Sequence, residues 1–548
     1  MTTDAAASPE TMAEVSVTEG QATVHVDVLI VGAGLSGIGA AHHLQAELPG
    51  KTYTILESRD VIGGTWDLFR YPGVRSDSDM QTLGYRFRPW TQPKAIADGP
   101  SILEYIRQTA ADAGIDRHIR FGHRVVSASW SSAEALWTIR ATRGSDNEPM
   151  TFTSSFLYVC SGYYRYDEGY TPTFAGAERF AGQIVHPQHW PEDLDYEGKR
   201  VIVIGSGATA VTLVPAMSDK AEHVTMLQRS PTYIMSLPSQ DPITNGLRAV
   251  FGSRVSYPIA RWKNVALGTL IYQLSQRRPA LIKAVIKRDQ RRRLPADFDI
   301  ETHFSPRYDP WDQRLCLVPD GDLFKAISDR RVSVVTDRIS TFTESGLELE
   351  SGAKLDADIV VTATGLNLLL FGGLRLEVDG EEVRPQDTLA YKGMMLSGVP
   401  NFVFTVGYTN ASWTLKADLV SEYVMRLLKT MDARGHRQCV PVNADPDLET
   451  RPLLDFSAGY VLRSVDNLPK SGPKAPWRLG MNYAQDLVTL RHGRIQDGVM
   501  RFSSPVGATR LGADGLDLRD PRLGAVDQDA AGTACGEPLG TPSGTPPK

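Results

Sequence analysis

The chain of 548 residues exceeds the length that one hydrophobic core usually serves, so we expect two or three domains. Its hydrophobic fraction of 42% and charged fraction of 22% are ordinary for a globular protein in water, and its net charge of −6 gives no overall attraction for nucleic acid. No run of 18 or more apolar residues predicts a membrane span.

Both ends of the chain are polar and poor in bulky apolar residues. Residues 1–22 predict a disordered leader without the pattern of an export signal, and residues 509–548, rich in Gly, Pro and Asp, predict a disordered tail. The cysteines stand singly and fit neither a zinc spacing nor a disulfide framework: Cys160, Cys316, Cys439 and Cys535. We therefore expect a protein of the reducing cytoplasm and no metal site.

The folded body opens with the stretch "VDVLIVGAGLSGIGAAHHLQAELPGKTYTILE". Residues 26–31 predict a short strand, which a glycine turn (Gly32, Gly34 and Gly37) connects to a helix. In a dinucleotide fold these glycines permit the turn, let the backbone approach a pyrophosphate and let helix and strand pack closely. The next predicted strand ends in Glu57, whose carboxylate can accept hydrogen bonds from a ribose diol.

The stretch "FAGQIVHPQHWPE", residues 180–192, precedes a second nucleotide motif. Its two histidines, His186 and His189, raise the question of a metal site, but no cysteine or further histidine cluster accompanies them. We interpret the stretch as a hinge, in which Gly182 turns the chain and the larger side chains align two domains. Those side chains are Phe180, His186 and Trp190.

The second nucleotide motif is "KRVIVIGSGATAVTLVPAMSDKAEHVTMLQRSP". A strand at 201–204 leads into Gly205, Gly207 and Ala210, with alanine allowed at the third position. Its second strand ends at Arg229 where the first motif has an acid, and an arginine can pair with a ribose 2′-phosphate. We therefore predict an NADPH site here and an FAD site at the first motif.

A helical stretch interrupts the second nucleotide fold at residues 236–309. It combines apolar residues at helical spacing with many basic ones, which favours a solvated basic face; a peripheral contact with an anionic membrane or another subunit is the alternative. The predicted fold class is α/β, with two Rossmann-like domains and a helical subdomain inserted in the NADPH domain. The predicted segments are 23–163 and 370–508 for the FAD domain, 164–235 and 310–369 for the NADPH domain, and 236–309 for the insertion.

Several enzyme classes combine two dinucleotide sites, so the fold alone does not choose among them. Disulfide reductases need a close cysteine pair after the first motif, and no cysteine precedes Cys160. Monooxygenation with O2 and simple electron transfer to a protein partner remain open.

Two motifs then carry a resemblance to a known family. The stretch around His186 matches FxGxxxHxxxWP, and "GGTWDLFRYPGVRSD", residues 63–77, matches [AG]GxWxxxx[FY]P[GM]xxxD. Together they resemble the type I Baeyer–Villiger monooxygenases. The resemblance implies bound FAD, consumption of NADPH and O2, and conversion of a ketone to an ester or lactone through a C4a-peroxyflavin, with oxygenation of sulfides or thioamides as a side activity. Rival functions are an enzyme acting mainly on S or N, and an electron-transfer flavoprotein.

The resemblance also assigns residues. It implies that Arg314 is the catalytic cation and that Asp77 is the carboxylate that pairs with it. Gln313 stands where many relatives have a lysine that helps to hold the 2′-phosphate, so we expect Arg229 to carry more of the selectivity for NADPH. The resemblance further implies contacts of Trp477 with the nicotinamide ribose. Additional cofactor contacts are expected from Gly64, Thr65, Trp66, Thr209 and Ser230.

Overall fold

A computed structural model describes residues 23–311, 315–454 and 459–505 of the chain. Two β-sheets, each flanked by helices, lie side by side and are joined by two crossings of the chain. A layer of helices extends from the second sheet. Within the described residues, no helix has the length and apolarity needed to cross a membrane.

The large sheet has nine strands, which come from both the N-terminal and the C-terminal part of the folded body. The spatial order of eight of these strands is Glu381–Val383, Arg375–Val378, His123–Ser131, Leu136–Arg143, Glu148–Val159, Val24–Val31, Tyr53–Leu56 and Ile119–Arg120. The ninth strand, Phe402–Phe404, pairs with Glu148–Val159. Helices Leu35–Glu47, Gly99–Asp112 and Trp413–Arg434 contribute buried apolar side chains to the core that it shares with the sheet.

The first strand determines where the first nucleotide motif lies. Val24–Val31 is the centre of three parallel strands, with Val31 opposite both Leu56 and Val159. Its last four residues are buried, as expected for a strand covered on both faces. The turn that follows therefore emerges at the carboxyl edge of the sheet, where open α/β sheets bind ligands.

The small sheet is parallel throughout and has five strands. Their spatial order is Val332–Thr336, His223–Gln228, Arg200–Ile204, Ile359–Thr362 and Gln183–Val185. Helices Ala208–Met217 and Asp322–Ser328 pack on it, and a three-stranded antiparallel sheet adjoins it: Ile339–Thr343, Gly346–Leu349 and Lys354–Asp356.

The chain passes between the two sheets twice, and the two crossings pair with each other. Tyr164–Gly169 leads from the large sheet to the small one, and Leu366–Leu368 leads back. They form an antiparallel two-stranded ribbon. This ribbon and the side chains that contact it therefore help to fix the relative position of the two sheets.

The helical layer comprises two long helices, Pro242–Arg277 and Pro279–Arg293, followed by the short helix Ile300–Phe304. Gly252 has non-helical dihedral angles, so the first of these helices is kinked there. A parallel strand pair, Tyr233–Leu237 and Leu315–Pro319, frames the layer. The predicted fold class, two Rossmann-like units with a helical subdomain in the second, is confirmed.

The remaining elements are short. Helices span Thr65–Leu68, Met80–Leu83, Gly459–Leu462 and Tyr483–Asp486, with a π-helix at Leu487–His492. Turns of 3₁₀-helix span Asp116–His118, Ala177–Arg179, Pro187–His189, Leu370–Gly373, Pro385–Asp387 and Val465–Asn467. Two-stranded pairs join Ala390–Tyr391 to Met395–Leu396, Gln438–Pro441 to Met500–Ser503, and Arg451–Pro452 to Lys470–Ser471.

Candidate active site

The first glycine turn, Gly32 to Gly37, connects the central strand to helix Leu35–Glu47. A Cβ on Gly37 would lie 1.9 Å from the carbonyl oxygen of Gly32, so only glycine lets the helix start this close to the strand. The helix begins at Gly34, and no side chain among the described residues caps it. Its first backbone N–H groups are therefore available to an anion.

A second loop, which contains Gly63 and Gly64, faces the N-terminal end of this helix. A Cβ on Gly34 would lie 3.6 Å from the Cα of Gly64, and a Cβ on Gly64 would lie 3.2 Å from the Cα of Gly34. Side chains at these positions would fill the space between the two backbones. The bare backbone and the uncapped helix end together fit a pyrophosphate group.

Glu57 lies at the end of the second strand, as the sequence predicts, and is buried. Its Oε2 accepts a hydrogen bond from the backbone N–H of Ala33 at 2.7 Å, and its Oε1 accepts one from the N–H of Arg59 at 2.9 Å. Burial raises the pKa of this carboxyl group, while the two hydrogen bonds oppose the rise. Glu57 thus holds the glycine turn in addition to its predicted role toward a ribose.

The motif at 63–77 runs from the first site toward the second unit. Its Thr65 and Trp66 form the start of a short helix, and its end packs against helix Ala208–Met217: a Cβ on Gly73 would lie 2.7 Å from the Cβ of Ala216. Burial raises the pKa of the Tyr71 hydroxyl to about 12, opposed by a hydrogen bond with Thr209 of the same helix. The motif is therefore a connector between the two nucleotide turns.

The second glycine turn, Gly205 to Ala210, repeats the geometry of the first. Gly205 has a φ of +133°, and a Cβ there would lie 2.4 Å from the carbonyl oxygen of Ala363. Helix Ala208–Met217 begins at Gly207, again without a side-chain cap from the described residues. An ideal Cβ on Gly207 meets no atom within 4 Å, so the space above this helix end is open to a ligand.

Arg229 and Ser230 follow the strand His223–Gln228 at the same edge of the small sheet. Both are exposed, as a residue must be to meet a phosphate from solvent. The hydroxyl of Ser206, within the glycine turn, donates a hydrogen bond to the carbonyl of Ser230 at 3.4 Å. Arg229 therefore follows a segment that is hydrogen-bonded to the second turn.

One large cavity, the central cavity, connects the two turns. It has a volume of about 850 Å³, which suits the reactive ends of two dinucleotides and a small substrate. Among the site residues predicted from the sequence, those that line it come from the first turn, from the motif at 63–77 and from the second turn: Gly34, Thr65, Trp66, Asp77, Gly207 and Thr209.

The wall on the large-sheet side is aromatic. Trp413 stacks on Tyr163 with ring centroids 5.2 Å apart and planes 3° apart, and its indole Nε1 donates a hydrogen bond to Ser36 Oγ at 2.8 Å. Cys160 also lines the cavity, but burial raises the pKa of its thiol to about 12. A thiol that stays protonated is not a redox nucleophile, which agrees with the exclusion of disulfide reductases.

A buried ion pair next to the cavity is absent from the sequence prediction. Lys416, fully enclosed, donates to Asp486 Oδ2 at 2.7 Å, and the hydroxyl of Tyr408 donates to the same oxygen at 2.7 Å. Tyr408 itself lines the cavity. A lysine among the buried residues of helix Trp413–Arg434 is the signal in the sequence that could have indicated this pair.

His186 lies at the ribbon that joins the sheets. Its Nδ1 accepts a hydrogen bond from the N–H of Gln188 at 3.1 Å, and its Nε2 lies 3.2 Å from the carbonyl oxygen of Gly365, to which it donates. Burial lowers the pKa of this ring, in agreement with the neutral form. The ring also packs on the other crossing, because a Cβ on Gly169 would lie 1.9 Å from its Cε1.

The other residues of that stretch lie on the small-sheet side. Phe180 is buried against Phe342, and a Cβ on Gly182 would lie 2.3 Å from the carbonyl oxygen of Asp358. Trp190 packs on the core of the small sheet. Within the described parts of the chain, no group of three or more His, Cys, Asp or Glu side chains could hold a metal ion.

The described part of the structure does not place Arg314 or Trp477 at the central cavity. Arg314 lies outside the described residues, as does Gln313, so their roles stay predictions. Trp477 is buried, 6% exposed, in the core of the large sheet against Tyr391, and it is not one of the described residues that line the central cavity. Its expected contact with a nicotinamide ribose also stays a prediction.

Two uncapped helix ends that open into one cavity define an oxidoreductase fold with two dinucleotide sites. Residues 89–394 match the flavin-binding monooxygenase-like family, and residues 30–91 match the NAD(P)-binding Rossmann-like domain. The chain belongs to the flavin-binding monooxygenase-like family, which confirms the class expected from its motifs.

Two relatives match this chain along most of its length. The FAD-containing monooxygenase EthA of Mycobacterium tuberculosis is 57% identical over 489 residues, which are 88% of this chain and 100% of the relative. The putative FAD-containing monooxygenase MymA of the same organism is 50% identical over 485 residues, which are 88% of this chain and 98% of that protein.

Solved structures share the fold. An oxidized steroid monooxygenase bound to NADP superposes with a TM-score of 0.69 at 22% identity, and the cyclohexanone monooxygenase of Rhodococcus sp. Phi1 bound to NADP+ with 0.67 at 21% identity. Each covers 88% of this chain and 100% of its own. At this level of identity the likeness establishes the architecture of the two units.

Proposed function

We propose that this chain is an FAD-dependent, NADPH-consuming Baeyer–Villiger monooxygenase. It inserts one oxygen atom of O2 next to a ketone carbonyl to give an ester or lactone, and it oxygenates sulfides or thioamides as a side activity. The observation that carries the proposal is the single cavity shared by two uncapped helix ends. That arrangement lets a hydride donor and a flavin meet, and the two family motifs favour the Baeyer–Villiger chemistry.

FAD would occupy the first glycine turn. Its pyrophosphate would lie over the uncapped helix end at Gly34, where Gly64 leaves the backbone bare, and its ribose would lie near Glu57. Bound there, the flavin supplies hydride acceptance and the activation of O2. Further contacts are proposed for Gly32, Gly37, Thr65 and Trp66.

NADPH would occupy the second turn, with its pyrophosphate over the open helix end at Gly207. Arg229 supplies the positive charge for the 2′-phosphate, since no acidic residue stands at the end of that strand. Gly205, Thr209, Ala210, Ser230 and Trp477 complete the proposed set.

The reaction itself needs a fixed cation beside the carbonyl, because negative charge develops on oxygen as the carbonyl carbon is attacked. We assign that role to Arg314 from the family resemblance. Asp77 lines the central cavity, which suits a carboxylate that holds such a cation near the substrate. The Lys416 and Asp486 pair anchors Tyr408 in the cavity wall and so stiffens the pocket.

The stretch around His186 acts as an alignment element. A neutral ring that bonds one crossing and packs on the other couples the two units without touching substrate. Phe180, Gly182 and Trp190 fix the same stretch to the small sheet. The corresponding domain boundaries are those expected above: 23–163 with 370–508, and 164–369 with its helical insertion at 236–309.

The substrate is a small ketone or sulfide, with O2 as co-substrate and without nucleic acid. The cytoplasm is the proposed location, in keeping with the buried thiols Cys160 and Cys439. The weak peripheral membrane contact or self-association expected for the basic helical insertion also belongs to the proposal.

Product analysis tests the function. The purified yellow protein is given NADPH and O2 with a panel of ketones and sulfides, and products are weighed by mass spectrometry. We expect faster NADPH oxidation with a ketone and a product one oxygen heavier, and Arg314→Ala should lose that product while keeping FAD. Arg307→Ala, an exposed arginine nearby, is the control and should keep full activity. Hydrogen peroxide as the only product across the panel would contradict the proposal.

A further inference from the structure

The helical layer concentrates positive charge in one segment of the chain. Residues 242–293 contain twelve Lys or Arg residues and one acidic residue, Asp289, a net charge of +11 in a chain whose total is −6. Several of the basic side chains are exposed and form no ion pair with another described residue: Arg254, Arg277, Arg278, Arg288, Arg291 and Arg292.

The same segment exposes apolar surface. Of the fourteen large apolar side chains that are exposed within the described residues, ten lie in it: Ile243, Val250, Phe251, Val255, Ile259, Trp262, Leu267, Leu270, Leu281 and Val285. Surface-exposed apolar side chains normally occur singly, and a concentration of them marks an interaction surface.

Four of these ten residues form a stripe on the first long helix. Val255, Ile259, Trp262 and Leu270 recur at helical spacing, which places them on one face, and Arg277 continues that face. Each of the four apolar side chains is about half exposed, between 48% and 55%. We call this the outer stripe.

The opposite side of the same helix is fixed to the large-sheet unit. The Arg261 guanidinium is 5% exposed, and its Nη1 donates to the carbonyl oxygens of Gln81, Thr82 and Gly84 at 2.7 to 3.2 Å. Its Nη2 donates to Asp418 Oδ2 at 3.2 Å. Because the inner side is anchored by a buried charge network, the helix holds its outer stripe toward solvent.

The helix also borders the central cavity. Leu267 is 51% exposed and at the same time lines the cavity, together with Lys263 and Tyr272 of the same helix. The outer stripe therefore adjoins the rim of the cavity.

We propose that the helical layer docks this protein on an anionic lipid bilayer, with the outer stripe in the headgroup region and the unpaired arginines on lipid phosphates. Basic residues flanking apolar and Trp side chains are the features that interfacial helices use. A second copy of the chain fits less well, because a symmetric interface would bring two faces of the same positive charge together. The proposal concerns surface binding and does not depend on the oxygenation reaction.

Vesicle flotation of the full-length protein with its bound FAD tests the proposal. We expect it to float with vesicles of phosphatidylglycerol and phosphatidylcholine at low salt and to stay at the bottom with vesicles of phosphatidylcholine alone. Binding should weaken as salt is raised, since the Debye length shortens. Equal flotation with neutral vesicles, or none with anionic ones at low salt, would overturn the proposal.

Charge-reversal variants test whether the basic residues of the helical layer bind the vesicles. In Arg277→Glu/Arg278→Glu/Arg288→Glu we expect partitioning onto anionic vesicles to fall at least about 100-fold, since loss of each basic residue near such a surface costs about fivefold and the new carboxylates add repulsion. A matched control reverses three exposed basic residues elsewhere, Lys220, Arg375 and Arg384, and should bind nearly as well as the unaltered protein. An equal fall in both variants would mean attraction by net charge alone and would overturn the assignment to this layer.

Apolar substitutions separate docking from self-association. Ile259→Ser/Leu270→Ser should reduce flotation, while Leu462→Ser/Val488→Ser, which alters exposed residues outside the layer, should not. Light scattering of the same proteins without vesicles serves as the second measurement. Oligomers that Ile259→Ser/Leu270→Ser abolishes, in a protein that does not float, would assign the stripe to a second copy instead. Thermal melting and flavin absorbance verify that all variants are folded.

Discussion

Gly207→Ala offers a sharp test of the second nucleotide site, because the structure separates its effect on ligand from its effect on fold. A Cβ at Gly207 meets no protein atom within 4 Å, and the backbone there has φ −78° and ψ −175°, which any residue adopts. The variant should therefore melt at the temperature of the unaltered protein and retain its FAD.

The magnitude follows from the lost contact. The added methyl group occupies the space above the uncapped helix end and holds a pyrophosphate away from the backbone N–H groups. Loss of one charge-assisted hydrogen bond costs about 1.5–3 kcal/mol, so the Kd of NADPH should rise about 10- to 100-fold. The limiting rate of flavin reduction should change far less.

Anaerobic stopped-flow measurement of flavin reduction against NADPH concentration gives both quantities. Gly50→Ala, in an open surface loop with equal space for a Cβ, is the control and should leave both unchanged. Gly34→Ala provides the reciprocal case, since its Cβ fills the gap to Gly64 and should lower FAD retention instead. An unchanged NADPH affinity in Gly207→Ala would refute the assignment of the pyrophosphate to this turn.

Three further predictions concern single side chains. Arg229→Gln should weaken NADPH binding about 10-fold and leave NADH binding unchanged, as measured by KM for each; equal losses would remove it from 2′-phosphate recognition. Burial lowers the pKa of His43, but its ion-pair contacts with Asp418 at 3.5 Å and Glu47 at 3.6 Å outweigh burial and raise that pKa to about 9. The protonated ring therefore stabilises the folded state by up to about 3 kcal/mol. This stabilisation is complete below pH 6.5 and is lost as the pH rises toward 9. The denaturant concentration at the unfolding midpoint should fall over that pH range, and His43→Gln should abolish the fall. Lys416→Met leaves a buried carboxylate unpaired and should destabilise the protein by about 3–5 kcal/mol in urea unfolding, whereas a loss below 1 kcal/mol would mean that the pair is solvated.

The glycine turns could be predicted because the residues that determine each turn are close together in the sequence. The sequence predicts a strand at 26–31 before Gly32, and the structure has Val24–Val31; it predicts 201–204 before Gly205, and the structure has Arg200–Ile204. Glycine spacing and strand pattern lie within about thirty residues, and the physics of the turn restricts what can stand there.

Contacts between distant segments could not be predicted in the same way. Lys416 and Asp486 are 70 residues apart, and the ion pair of Arg75 with Asp322, which connects the two units, joins residues 247 apart. A charged residue at a buried position of a helix indicates a buried partner but does not identify that partner. The shape of the central cavity depends on such contacts, so no single sequence motif predicts which ketone the protein prefers.

Oxygen isotope labelling distinguishes insertion of oxygen into a ketone from release of hydrogen peroxide. The protein, NADPH and a ketone substrate are incubated under ¹⁸O₂ in ordinary water, and the product is analysed by mass spectrometry. We expect an ester or lactone that carries one ¹⁸O atom per molecule and forms in proportion to the NADPH consumed. NADPH oxidation with labelled hydrogen peroxide and no labelled ester, sulfoxide or other oxygenated product would contradict it.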